Sequence, residues 1–286
     1  MSQDVVYKGM TPKELDDAYN VFNSISDPLG WLEANRKRAA EVTERLKPVK
    51  DVSYGPEPLQ KLDIYAPSGV KDAPVIIEIH GGGWVSGSKE PRSICAEPLM
   101  KEGILWVPID YGLAPNYSIH DIIDHTRKAI GWVHEHIAAY GGSPEKLYVF
   151  GNSAGGHLAA TTLMPGWEKA DCIKGAICLS GVYDMRAMFY ADGDIQKALK
   201  MSLEDAKATS PLLHLPARKV PVVIAYGEKE PPVYHYESTT YANALKDIGL
   251  DTTLIEVPEA NHFSIINELA HTDGQLYRAV LDLLQR

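Results

Sequence analysis

"VFGNSAGGHLAA", residues 149–160, decides the fold. The apolar residues that end at Phe150 read as a buried strand. The run stops at Gly151, presents one serine and restarts as a helix of small residues. Gly151-Asn152-Ser153-Ala154-Gly155 fits G-x-S-x-G between a predicted strand and a predicted helix, the context of a nucleophile elbow. The physics is steric: residues two positions either side of the serine must be tiny if strand and helix are to approach. The Ser153 hydroxyl then stands at the strand's C-terminal end. The Ala154 amide lies at a helix N-terminus, where a developing oxyanion is favoured. An ordinary glycine-rich turn would use the same residues. What separates the two is whether the rest of the chain supplies a base, an acid and more amide donors.

The surroundings have the right alternation. Short apolar runs at LDIYA (62–66), VIIEIH (75–80), ILWVPID (104–110), LYVFG (147–151), GAICLSG (175–181), VVIAYG (222–227) and TTLIEV (252–257) read as strands. Several are β-branched nearly throughout, as strands covered on both faces should be. Helical patterns fall at 89–102, 120–139, 154–164, 235–248 and 273–285. Strand and helix in turn predict an α/β fold with a mostly parallel central sheet and helices on both faces. Only the short stretch 66–74 separates LDIYA from VIIEIH, so the first strand or two could pair antiparallel. Residues 11–47 read as helix, with Thr11 and Asp27 as caps and Pro48 as the stop. Residues 182–219 interrupt the alternation with a long Met-, Tyr- and Phe-containing excursion that could cover a site. With no repeat or linker, residues 1–286 are expected to form a single domain, the segment 1–48 contributing to the cap.

Composition removes other classes. The formal charge of −10, with no basic run carrying interleaved aromatics, disfavours nucleic acid. The start is polar and acidic, unlike a signal peptide. No apolar stretch nears the roughly 20 residues that span a bilayer. Cys95, Cys172 and Cys178 are an odd set without C-x-x-C spacing and read as reduced structural thiols. A cytoplasmic protein without a membrane partner, metal site or cofactor is the expectation.

The chain does supply the missing partners. "EIHGGGWVSGSKE" (78–90) places three glycines directly after a strand. Without side chains, their N–H groups can point into a cavity and form the other half of an oxyanion hole. Gly82 and Gly83 are the candidate donors, with Gly81 in reserve. His80 is expected to orient the loop, and Trp84 to wall the acyl pocket or pack in the core. A serine hydroxyl needs a base within hydrogen-bond reach. His262 follows the last strand and precedes an apolar helix, whereas His134 and His136 decorate a helix surface and His214, His235 and His271 lack that setting. The acid should fall between serine and histidine, after a strand. Glu230, third after Gly227, is favoured over its rival Glu228.

H-G-G-G-W, "DYGLAP" (110–115), "GNSAGGHLAA" and the late "NHF" resemble the hormone-sensitive-lipase side of the α/β-hydrolase superfamily. "LDDAYN" (15–20), "YGPEPLQKLDIYAP" (54–67), "YGGSPEKLYVFGNSAGGHLAA" (140–160) and "IKGAICLSGVYDM" (173–185) are similar to the kynurenine formamidase (arylformamidase)-like group. The resemblance implies a serine hydrolase with Ser153, Glu230 and His262 as triad and Gly82, Gly83 and Ala154 as oxyanion donors. The substrate would be a small molecule, an aryl formamide or alternatively a small acyl ester, and a homodimer is an assembly the resemblance allows. Two positions depart from the group. Glu230 stands where Asp is usual, and Asn152, placed with Trp84 in the substrate pocket, where His or Asp is more frequent. A non-catalytic ligand receptor on this fold would typically lack a triad member, and this chain carries every one.

Overall fold

The computed structural model describes residues 5–285; residues 1–4, which begin the polar N-terminal stretch, and Arg286 lie outside it. Its strands are β1 (Val49–Ser53), β2 (Lys61–Ile64), β3 (Ala73–Ile79), β4 (Leu105–Ile109), β5 (Gly142–Asn152), β6 (Ile173–Leu179), β7 (Val222–Gly227) and β8 (Thr252–Val257). They form one sheet in the order β1-β2-β4-β3-β5-β6-β7-β8. From β4 to β8 every pairing is parallel, while β1 and β2 are antiparallel to their neighbours. This is the mostly parallel sheet that the alternation predicted, in the α/β-hydrolase arrangement that the resemblance implied.

The antiparallel part differs in detail from expectation. β2, the LDIYA run, pairs with β1 and β4 and is not adjacent to β3, its successor in sequence. β1 was not legible because it is an edge strand whose residues are mostly exposed and carry no alternating apolar pattern.

The helices are α1 (Pro12–Tyr19), α2 (Pro28–Leu46), α3 (Ala96–Lys101), α4 (Ile119–His136), α5 (Ala154–Thr161), α6 (Arg186–Tyr190), α7 (Asp194–Leu199), α8 (Leu203–Ala208), α9 (Pro232–Asp247) and α10 (Gln275–Leu284). Thr11 and Asp27 cap α1 and α2 through their side chains, as expected. The 89–102 pattern is instead a 3₁₀ segment, Glu90–Cys95, followed by short α3. Pro91 and Pro98 remove amide donors there and prevent one continuous helix.

Side chains alternate across the sheet, so it has two cores. Val75, Ile77, Ile79 and Val149 face Ile130 of α4, Leu158 of α5 and Leu245 of α9. Ile76, Trp106, Phe150 and Val223 face Leu99 of α3 and Val280 of α10. Each fully buried aliphatic side chain contributes about 1.5–3 kcal/mol relative to exposure. The central strands are thereby rigid posts, and their C-terminal ends hold whatever loops follow them. Among the described residues no helix is long and apolar enough to cross a membrane.

Candidate active site

Ser153 lies between β5 and α5 with φ 60° and ψ −123°, a region sparsely used by residues with a side chain. Such a conformation costs on the order of 1–3 kcal/mol and persists only where the surroundings enforce it. They do so here by backbone contact. A Cβ on Gly151 would lie 2.0 Å from the Gly155 carbonyl oxygen, and one on Gly155 would lie 1.9 Å from that of Ile79. The Ser153 N–H donates to Leu179 O at 2.9 Å, and its carbonyl accepts from His157 N at 3.1 Å. The elbow is therefore locked between β3 and β6, with the serine side chain left half-buried.

The glycine loop lies against it. A Cβ at Gly81 would fall 3.1 Å from Ser153 Cβ. Gly82 has φ +120° because its carbonyl accepts from Val85 N and Ser86 N in a tight turn. The Gly82 and Gly83 N–H groups donate to nothing among the described residues. The Ala154 N–H, at the first position of α5, has no acceptor within its helix. His80 holds the loop as expected. Its Nδ1 lies 2.7 Å from Gly81 O, so Nδ1 carries the proton, and its ring stacks on Tyr111 at 4.1 Å. Burial pushes its pKa down to about 3, which keeps it neutral.

His262 follows β8, and its Nδ1 stands 3.4 Å from Glu230 Oε1. The distance is that of an ion pair, but Nδ1–H is not aligned for a hydrogen bond. Glu230 Oε1 also accepts a 2.6 Å hydrogen bond from Ser180 Oγ. Glu228, the rival, is exposed and accepts from Glu259 N at 2.9 Å, facing away. The turn after β7 thus sends the third residue inward and the first outward.

Ser153, Asn152, Gly81, Gly82, Gly83, Trp84 and His262 line one cavity of about 640 Å³, with Glu230 behind His262. The cavity lies at the C-terminal ends of the strands, where open α/β sheets bind ligands. A hollow of similar size, about 630 Å³, lies at the opposite strand ends beside Lys146 and Lys174 and holds none of these residues. The N-terminal segment closes one side of the cavity with Tyr19, Val21 and Phe22, and the 182–219 excursion another with Met188, Ala191 and Ile195.

Three structural groups were not found in the sequence. His157, inside the elbow helix, accepts from Trp84 Nε1 at 3.1 Å and donates from Nε2 to Thr209 O at 2.8 Å. Burial lowers its pKa to about 4, so it is a neutral post holding Trp84, itself 2 % exposed. Glu237 of α9 accepts from Tyr19 Oη at 2.6 Å and from the Tyr183 and Asp184 amides at 2.8 and 3.1 Å. It ties both covering segments to the sheet domain's α9. Ser180, with φ 48°, restrains the Glu230 carboxylate. A histidine following G-x-S-x-G by two residues was the only one of these with a local signal.

This geometry agrees with what the chain resembles. A family model described as BD-FAE matches residues 62–245. The chain belongs to the BD-FAE family of α/β-hydrolases. It is 31% identical to the kynurenine formamidase of Danio rerio, over 99% of this chain and 97% of that protein. It is 33% identical to the esterase LipQ of Mycobacterium tuberculosis, over 74% of this chain and 56% of that protein. Among solved structures, a protein proposed to be a thioesterase, from Silicibacter, superposes with a TM-score of 0.84 at 24% identity, covering 94% of this chain and 99% of its own. Thermogutta terrifontis esterase 2 phosphonylated by sarin superposes with a TM-score of 0.70 at 25% identity, covering 83% and 94%. The BD-FAE chain described here is a hydrolase.

Proposed function

We propose that this hydrolase is a serine enzyme that removes a small acyl group from an aryl amide, an arylformamidase acting on substrates of the N-formylkynurenine type. The observation that carries it is the strained Ser153 elbow in one cavity with His262 and the free glycine amides. Its length-wide similarity to a kynurenine formamidase supports the substrate class. Ser153 Oγ attacks the formyl carbon while His262 Nε2 takes its proton. Glu230 orients the imidazole and stabilises the imidazolium. The Gly82, Gly83 and Ala154 N–H groups hold the oxyanion. His262 then protonates the departing aniline nitrogen, and water repeats the sequence on the acyl-enzyme. An aniline is a weak base, so it leaves more readily than an alkylamine. A formyl group needs little room, which suits a wall as fixed as Trp84.

Short-chain carboxylesterase activity is the second reading, favoured by the likeness to an esterase that sarin phosphonylates. Turnover of N-formylkynurenine beside p-nitrophenyl acetate, with wild type and Ser153→Ala, separates them. Higher kcat/KM on the formamide, with both activities falling at least about 10⁴-fold in the variant, supports the proposal. Ester cleavage alone overturns the formamidase assignment. A variant that still turns over, or wild type that a fluorophosphonate does not label at Ser153, overturns serine catalysis.

A further inference from the structure

The cavity carries a cation that the triad does not use. Arg92 belongs to the 3₁₀ segment Glu90–Cys95, and its backbone is fixed by Trp106 Nε1, which donates to Arg92 O at 2.9 Å. Its side chain is only 17% exposed, and it lines the same cavity as Ser153. The guanidinium stands beside the elbow: Nη2 lies 3.7 Å from the point where a Cβ on Gly81 would be. That same point is 3.1 Å from Ser153 Cβ.

A guanidinium offers five N–H donors in a planar fork. None of those of Arg92 finds a hydrogen-bond acceptor among the described residues. Nε is shut off from solvent, while the two Nη nitrogens are not. The nearest carboxyl is that of Glu78 on β3, whose Oε1 is 3.5 Å from Nε. Glu78 is completely buried, and neither of its oxygens has a hydrogen bond. Asp16 and Asp194 line the cavity from α1 and α7 and make no ion pair with Arg92. Arg92 is thus a buried-backed cation with its fork free on the side of the reacting serine.

We propose that Arg92 is a carboxylate receptor within the active-site cavity, selecting substrates whose leaving group bears a carboxylate near the scissile bond over neutral analogues. A bidentate carboxylate would give the Nη donors the acceptors they lack, in a water-poor setting where charge-assisted hydrogen bonds are strong. Burial raises the pKa of Glu78 to about 8 despite Arg92, so near neutrality its carboxyl leaves the guanidinium charge largely uncompensated. The identity of the leaving group as an aryl amine rests on the function proposed above; the preference for an anion does not.

Two substrates of one ring and one acyl group test it: 2-formamidobenzoate and formanilide, which differ by the carboxylate. Wild type should show higher kcat/KM on the charged one. In Arg92→Gln the ratio of charged to neutral should fall about tenfold or more, mainly through KM, with Arg92→Lys between the two. Benzoate should inhibit p-nitrophenyl acetate hydrolysis more tightly than benzamide, and lose that advantage in Arg92→Gln. An unchanged ratio in the variant, or benzoate no tighter than benzamide in wild type, overturns the proposal. Should Arg92→Gln unfold because Glu78 is left alone, Arg92→Gln/Glu78→Gln carries the same measurement. If neither formamide is cleaved while the ester is, the formamidase reading falls, and the benzoate and benzamide pair alone decides Arg92.

Discussion

The elbow and the cover that faces it across the cavity are built on opposite principles. At the elbow the closest contacts of Gly151 and Gly155 are backbone: neither has room for a Cβ, and Ser153 keeps a strained φ because β3 and β6 hold it. The cover is made of side chains on helices and turns, and some remain half in water, with Phe22 49% and Leu32 40% exposed. It is joined to the rest through a few buried polar links, chiefly Glu237 and the Trp84–His157–Thr209 chain. Ser153 is positioned by rigid strand ends, whereas the covering surface can differ without disturbing it. That division is consistent with this chain's similarity in sequence both to a kynurenine formamidase and to an esterase.

The sharpest way to break the comparison is at the acid. Glu230→Gln should lower kcat about 10³–10⁴-fold with KM little changed, because the imidazole loses its orienting charge. Glu228→Gln, on the outward side of the same turn, should stay within about twofold. Equal losses from the two in steady-state kinetics would mean that the turn, and not the carboxylate facing His262, is what matters.

On the cover, Glu237→Ala should reduce stability by about 2–4 kcal/mol, read as a lowered denaturation midpoint. Three hydrogen bonds from two segments lose their acceptor, and the Tyr19 hydroxyl and two amides are left buried. Its catalytic loss should appear in KM more than in kcat, since the elbow is untouched. A pure kcat effect would show that cover and elbow are not separable.

Trp84→Phe sits at the seam and should cost about 1–2 kcal/mol, because His157 Nδ1 loses its donor. A separate check concerns pH. Glu78 has a folded pKa raised to about 8, so the folded state holds a proton that the unfolded state has lost above about 4.5. Its contribution is present at low pH and is lost as the pH rises toward 8, with a slope of at most ~1.4 kcal/mol per unit. Glu78→Gln should therefore gain stability relative to wild type as the pH rises from 5 to 8. His157, lowered to about 4, has the opposite sign, and its contribution falls away as the pH drops from about 6.5 toward 4. Melting curves of both proteins across that range check the slope, and a constant difference would place Glu78 ionised throughout.

The sequence by itself determined the features that depend on local sterics. G-x-S-x-G between a strand and a helix, three glycines after β3, a histidine after β8 and the strand–helix alternation are each set by residues close together in the chain. Backbone geometry and side-chain period act over that same range. The sequence favoured Glu230 over Glu228, and tertiary structure settled which one turns toward His262, because that depends on how the β7 loop lies against β8 and Ser180. It alone placed Arg92 beside Gly81, Glu237 between α1 and the excursion, and the β1–β2–β4 order at the sheet edge. These contacts join residues far apart in the chain. Their free energies come from burial and desolvation, which exist only once the sheet and its two cores have formed.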